Sequence, residues 1–395
     1  MVLVRDVRPG IQWVGAIDWD RRLFDSLIPL PDGTSYNSYL VKGSKKIALI
    51  DGVDNSMVDT LLKNLESLGV KKLDYIVSQH AEQDHSGAIL RLAKVYPEAQ
   101  ILASARCMDL LVAFSLVPSE RVREVKDGEK ISLGDKTLEF IHAPWVHWPD
   151  TILTYIPESK VLFTCDFLGS HLATSDLYAD DEARVYKSAK RYYAEIMMPF
   201  RVQIQKHLAR VRQINPEVIA PSHGPLYRNP KFIFDAYADW SSDNVKNQVV
   251  LPFVSMHGAT EVMVDYFIDA LISRGVYVQP FDLTKSDIGK IAESLVDAAT
   301  VVIGSPTILA GAHPAVVYAA FLANALRPKI KFASIIGSYG WGGKMPEQLS
   351  QIISNLKVDV LQPVIAKGYP KEEDLKALDR LADDIASRHR GLGLL

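Results

Sequence analysis

Ser78-Gln79-His80-Ala81-Glu82-Gln83-Asp84-His85-Ser86-Gly87 is the stretch on which the fold turns. Two imidazoles and two carboxylates lie in it within six residues, directly after the apolar run Tyr75-Ile76-Val77. A strand delivers such a loop to the carboxyl edge of a sheet, where sites tend to be built. Alternation along the loop sends His80, Glu82 and Asp84 to one side, with chain curvature aiming His85 at a second target. Ser86 reads as an N-cap, so that the loop runs into a helix carrying Ile89, Leu90, Leu92 and Ala93 inward.

The surrounding pattern supplies a scaffold. Strands are predicted over 11–16, 36–41 and 46–51, with a turn at Pro31-Asp32-Gly33-Thr34 and a helix from Met57 to Leu68 that presents Leu61, Leu62, Leu65 and Leu68 on one face. Further strands follow at 100–103, 137–141, 151–155, 161–164 and 217–220, and a helical stretch over 181–214 breaks near Pro199. This mixture suits two sheets packed face to face with helices outside.

Three more donors stand at or near strand ends: His147 in Trp145-Val146-His147-Trp148-Pro149-Asp150, Asp166 after the strand ending at Thr164, and His223 in Pro221-Ser222-His223-Gly224-Pro225. With His80, Glu82, Asp84 and His85 they make seven nitrogen or oxygen donors and no sulfur. Two metals about 3.5–4 Å apart need a set of that size, with one carboxylate bridging. Asp166, the strand-end carboxylate between the later two histidines, is the natural bridge. Any one of these residues alone reads as an ordinary polar group; the seven together do not. His142 reads as structural, and His207, His313 and His389 carry no assigned role. Alternation points the Cys165 sulfur away from the metals.

At 395 residues the chain exceeds one core of usual size, and two domains are expected, 1–248 and 249–395. Apolar content of 48% and charged content of 23% are those of a globular protein, and a net charge of -3 gives no reason to expect nucleic acid or an anionic membrane. No apolar run is long enough to span a bilayer, and the first residues lack a signal-peptide core. Cys107 and Cys165 form no CxxC pair and read as buried thiols in a reducing cytoplasm.

Residues 228–248 read as a connecting segment. From Val249 the order alternates strand and helix: strands at 249–254, 277–281, 300–303, 332–336 and 358–361, and helices at 261–273, 314–325, 346–356 and 372–387. This is a doubly wound parallel sheet of flavodoxin size. Three strand-end loops carry cofactor signals. Ser255-Met256-His257-Gly258-Ala259-Thr260 offers hydroxyls, a glycine and helix-terminal amides to a monophosphate. Gly304-Ser305-Pro306-Thr307-Ile308 follows the third strand, and Gly337-Ser338-Tyr339-Gly340-Trp341-Gly342-Gly343, whose aromatics can cover a flat ring, follows the fourth. The domain resembles flavodoxin with bound FMN.

His80-x-Glu82-x-Asp84-His85, with His147, Asp166 and His223, resembles the metallo-β-lactamase fold as modified in flavodiiron proteins. Hydrolases of that superfamily usually show HxHxDH and bind zinc; Glu82 stands where their second histidine would be, and the added carboxylate favours iron. The resemblance covers nearly the whole chain. It implies an N-terminal αββα sandwich followed by the flavodoxin-like sheet, with His80, Glu82 and His147 on one iron, Asp84, His85 and His223 on the other, and Asp166 bridging. It implies an oxidoreductase that passes electrons from FMN to two non-haem irons and reduces dioxygen to water or nitric oxide to nitrous oxide. His171 and Tyr193 resemble catalytic positions beside the metals. With no CxxC pair for a fused rubredoxin domain, the resemblance implies a separate donor, rubredoxin or a reduced deazaflavin, and a head-to-tail homodimer or dimer of dimers. The chain departs from the family at Arg22-Leu23-Phe24-Asp25, where many members carry a histidine; Phe24 can donate neither a proton nor a hydrogen bond. The alternative is a binuclear zinc hydrolase with a flavodoxin-like partner domain.

Overall fold

The structure is a computed structural model that describes residues 2–395. It divides into two compact units, the first running to Tyr193 and resuming over Phe200–Ser241, the second comprising Ala194–Pro199 and Ser242–Leu395.

In the first unit a seven-stranded sheet runs in the order Arg5–Arg8, Ile11–Trp13, Tyr39–Lys42, Ile47–Ile50, Tyr75–Val77, Gln100–Ala103, Val122–Glu124. The strands from Ile47 onward are mutually parallel, so their carboxyl ends share one edge. A second sheet orders Lys130–Ser132, Thr137–His142, Ile152–Ile156, Val161–Cys165 and Val218–Pro221, with only the last pair parallel. Alternation explains the stacking. Tyr39, Val41, Tyr75, Val77 and Leu102 share a core with Leu138, Phe140, Phe163 and Ala220 of the second sheet. Leu40, Ile76, Ile101 and Ala103 turn the other way, onto helices that include Val58–Ser67 with Val58, Leu61 and Leu65 buried.

Several expectations change. Residues 83–86 form one helical turn rather than a strand-like loop, and the next helix spans Ile89–Val95. Ser86 is not its cap: the hydroxyl donates to the Ala81 carbonyl at 2.6 Å and closes the donor loop on itself. Helix Ala105–Ala113, capped by the Ser104 side chain, was not anticipated. The supposed connecting segment contains helix Pro230–Ser241, which packs into the first unit with Tyr237 and Trp240 buried against Tyr193. Its aromatics pack at helical spacing, which a reading for linker composition overlooks.

In the second unit a parallel sheet runs Tyr277–Asp282, Lys246–Phe253, Ala298–Ile308, Phe332–Tyr339, in chain order 2-1-3-4, and is closed by Asp359–Val360 and Val364–Lys367 beside the fourth strand. Val249 and Leu251 face one helical layer, Val250 the other. The strand expected at 358–361 contributes only two residues; Val364–Lys367 continues that ladder. Helix Ile288–Leu295 was also missed. The third strand is longer than expected and includes Ser305–Ile308, which therefore are not loop residues. Among the described residues no helix is long and apolar enough to cross a membrane.

Candidate functional site

The parallel strands set the donors in place. The loop after Tyr75–Val77 lies between the ends of Ile47–Ile50 and Gln100–Ala103. Asp51, leaving its strand at φ +54°, accepts hydrogen bonds from Gln79 N and Nε2, both at 2.8 Å, and from Ser222 Oγ at 3.2 Å. It thereby ties the His80 loop to the His223 loop. Asp166 and His223 leave the parallel pair Val161–Cys165 and Val218–Pro221. Gly224 turns at φ +76°, and a Cβ there would meet Ser170 Oγ at 2.1 Å, so the chain after His223 requires glycine.

The seven expected donors converge. Glu82 Oε2 lies 3.1 Å from His80 Nε2 and 3.0 Å from His147 Nε2. Asp84 lies 3.3 Å from His85 Nε2 through Oδ1 and 3.0 Å from His223 Nε2 through Oδ2. Asp166 faces both groups: Oδ2 is 3.4 Å from His147 Nε2 and 3.7 Å from His80 Nε2, and Oδ1 is 3.0 Å from His85 Nε2 and 3.2 Å from His223 Nε2. All four imidazoles present Nε2. Both oxygens of Asp84, both of Asp166 and His85 Nε2 are buried with no hydrogen-bond partner among the described residues, despite those short separations. Their lone pairs are turned on common centres instead, as a metal requires. The two clusters, His80-Glu82-His147-Asp166 and Asp84-His85-His223, therefore fit two cations held by hard donors.

The electrostatics agree. Burial opposes charge on His147 and His223, yet the close carboxylates of Asp166 with Glu82 or Asp84 push them up to about 9 and about 10. Burial opposes charge on Asp166 too, but His85, His147 and His223 hold its carboxyl well below the usual range. A cation bound here takes over the role those protons play.

His171 is buried, with Nδ1 2.9 Å from Thr34 Oγ1 and Nε2 without a partner among the described residues. Its ring lies 5.0 Å from that of His223, and burial with the His223 charge keeps it well below its ordinary pKa, hence neutral. Tyr193 is not placed as expected. Its hydroxyl donates to the Trp240 carbonyl at 3.3 Å, inside the aromatic core. Tyr192 is the tyrosine beside the site, its ring 4.8 Å from that of His171. Helix Glu182–Tyr192 passes into a π turn at Tyr193, and consecutive helical residues point about 100° apart, so only one of the pair can face the donor clusters. Phe24 packs its ring 5.0 Å from His171 and 6.4 Å from His223. The sequence reading stopped at Phe24 and overlooked Asp25, whose carboxyl is hydrogen-bonded to Glu82; burial and the charge of Glu82 raise its pKa to about 6. Cys107 and Cys165 are both free and buried, and burial drives both thiols well above their ordinary range. The Cys165 sulfur lies within 4.8 Å of donor atoms of His85 and Asp51.

In the second unit the three expected loops meet around a cavity of about 230 Å³. Met256, His257, Ala259 and Thr260 line it from the first loop, Pro306 and Thr307 from the second, Ser338, Tyr339 and Gly340 from the third. Thr260 Oγ1 and Ser338 Oγ are 3.1 Å apart and link two of these loops. Gly258, at φ +85°, is the N-cap of helix Ala259–Ile272 and has no side chain to cover the first amides, as a phosphate cradle needs. Ser255 Oγ accepts from Glu261 N at 3.2 Å. Ser305 does not line the cavity: it is fully buried and accepts from His313 N at 3.1 Å. Ile308, Trp341 and Gly342 also lie outside the lining, and Trp341 is 83% exposed. A fourth loop, Gly368-Tyr369, was missed; Tyr369 donates to the His257 carbonyl at 3.0 Å. It follows Val364–Lys367, the strand the sequence reading had not found.

Comparison with known proteins gives the wider setting. The family described as "ODP family beta lactamase" matches residues 34–224. A protein named nitric oxide reductase from Moorella thermoacetica is 36% identical over 392 residues, 97% of this chain and 98% of its own. Rubredoxin oxygen:oxidoreductase from Desulfovibrio gigas superposes with a TM-score of 0.95 at 30% identity, covering 98% of this chain and 99% of that one. The flavodiiron protein from Giardia intestinalis gives 0.93 at 29% identity over 99% and 98%. Both halves are thus accounted for together, a metallo-β-lactamase-like sandwich and a flavodoxin-like sheet, and the chain belongs to the flavodiiron proteins.

Proposed function

We propose that the chain reduces dioxygen to water, nitric oxide to nitrous oxide, or both, drawing electrons through FMN to a non-haem di-iron centre. The observation that carries this reading is Asp166, whose two oxygens face separate clusters of nitrogen and oxygen donors. His80, Glu82 and His147 would hold one iron and Asp84, His85 and His223 the other, with Asp166 facing both. Glu82 makes the set harder than that of a zinc hydrolase, and the hydrolase alternative is not favoured. When bound, two irons with open positions and a flavin that works in one- or two-electron steps supply the redox chemistry.

The remaining residues prepare the pocket. Neutral His171 packs against His223 with a nitrogen that has no partner among the described residues, Tyr192 lies alongside, and Phe24 packs against both histidines without a proton to give. The loops around Gly258 and Ser338 would hold FMN, with Tyr339 lining the cavity and the exposed Trp341 on the same loop free to close over it. The donor is a separate protein or cofactor, rubredoxin or a reduced deazaflavin. Because the two cofactors belong to different units, the active form is a head-to-tail homodimer or a dimer of dimers; a monodisperse monomer with full turnover overturns that part. Free, buried cysteines support a cytoplasmic setting.

The test is metal and flavin analysis of the purified protein, with dioxygen and nitric oxide consumption measured side by side under reduced donor. Two irons and one FMN per chain with gas consumption are expected. Zinc without flavin, or both cofactors without consumption of either gas, overturns the proposal.

A further inference from the structure

Asp150 lies behind His80, on the side away from the donor clusters, and both side chains are fully buried. Its Oδ1 and Oδ2 are each 3.1 Å from His80 Nδ1. The same carboxylate accepts the Ala81 backbone N–H at 2.8 Å, and its main-chain carbonyl accepts Ser104 Oγ at 2.7 Å. Asp150 is therefore fixed at both ends before any metal arrives.

An ionised carboxylate only accepts hydrogen bonds, so Nδ1 of His80 carries a proton, and Nε2, facing Glu82 and Asp166, is the nitrogen whose lone pair a metal can take. The charge behind the ring also makes that lone pair a stronger donor. His223 is supported differently: its Nδ1 lies 2.7 Å from the carbonyl oxygen of Ser35, which fixes the same tautomer with a neutral group. Asp51, near His85, differs again, since its oxygens are engaged by Gln79 and Ser222. Among these three supports, Asp150 is the charged one placed directly on an imidazole Nδ1 hydrogen bond.

We propose that Asp150 is a positioning residue that sets the tautomer of His80 and strengthens its hold on the metal shared with Glu82 and His147, without comparable effect on the metal at Asp84, His85 and His223. The assignment rests on the two-metal reading given above.

The test is stepwise binding of ferrous iron to the anaerobic full-length chain with its flavin in place, by chelator competition, with Mössbauer spectra of the loaded forms. Asp150→Asn keeps an acceptor for Ala81 N–H and the side-chain shape but removes the charge. It is expected to weaken one of the two binding steps about 10- to 100-fold, the usual scale for such partners. The other step stays unchanged, and only one of the two iron signals shifts. Ser104→Ala, which removes the bond to the Asp150 main chain, is expected to lower the melting temperature and leave both binding steps as they were. The role is overturned if Asp150→Asn takes up both ions like the parent, or if both steps weaken alike together with a fall in melting temperature. An unsubstituted chain that binds no second ferrous ion overturns the two-metal reading instead, and that failure is distinct because it needs no substitution to appear.

Discussion

The loops carrying His80, Asp166 and His223 and the loops around the second unit's cavity all stand at carboxyl ends of parallel strands, yet they are built differently. The donors of the first are buried and braced from behind: Asp150 on His80, the Ser35 carbonyl on His223, Asp51 between two loops. The flavin loops are open, with Trp341 83% exposed and Tyr369 62% exposed. The bracing follows from the ligands. A cation needs donors held to a few tenths of an ångström and supplies strong bonds in return, whereas a large planar cofactor brings its own shape and can complete a site by closing loops over itself. One site is set in advance; the other is finished by its ligand.

The sharpest way to break this contrast is at Asp166. Asp166→Ala removes the one carboxylate facing both clusters, and turnover with either gas is expected to fall by more than about 100-fold, beyond the loss typical of an outer partner. Iron content per chain should fall while FMN content stays constant. If FMN is lost equally, the two regions are not independent.

Protons give a second, smaller effect. In the metal-free chain His147 and His223 titrate near about 9 and about 10, so both are charged at pH 7. Metal binding must expel those protons, and affinity for ferrous iron is expected to rise with pH up to that range and fall as pH drops. Calorimetry in buffers of different ionisation enthalpy reads the released protons directly; uptake with no proton release contradicts it. FMN binding should show no such dependence on these histidines.

In the open site, Trp341→Ala is expected to weaken FMN binding by roughly 10-fold, since stacking on an aromatic is worth about 1–3 kcal/mol. Flavin fluorescence on titration measures it, and an unchanged affinity would mean that the loop does not close on the ring. The smallest effect belongs to Tyr193→Phe. Losing its bond to Trp240 should cost about 0.5–1.5 kcal/mol in a thermal melt and leave turnover intact. Tyr192→Phe should do the reverse, lowering turnover with little change in stability.

Much of this was legible in the residues because local chemistry and strand position coincide. Tyr75–Val77 came out as read, and the motif that follows it brings four donors to one place; His147, Asp166 and His223 needed only the rule that strand ends share an edge. What escaped depended on rotation or on partners distant in sequence. Tyr193 and Tyr192 are neighbours in the chain, and a π turn decides which one faces inward. Asp150 was in a quoted stretch, but its value lies in a contact with His80 seventy positions earlier. Asp25 sits in a hairpin whose strands, Leu23–Phe24 and Ile28–Pro29, are too short to leave a pattern. Helix Pro230–Ser241 was hidden by its polar and aromatic mixture, which suits a linker as well as a half-buried face.

The burial of the two cysteines bears on how long such a protein survives its own substrates. Oxidants and nitrosating species derived from dioxygen and nitric oxide attack thiolates, and attack follows thiolate character and exposure. Cys107 and Cys165 offer neither, since both are fully buried and both are held protonated at neutral pH. Sulfur is present within a few ångströms of the centre, yet it is kept chemically silent. The fold thereby protects the catalyst from inactivation by the gases it consumes.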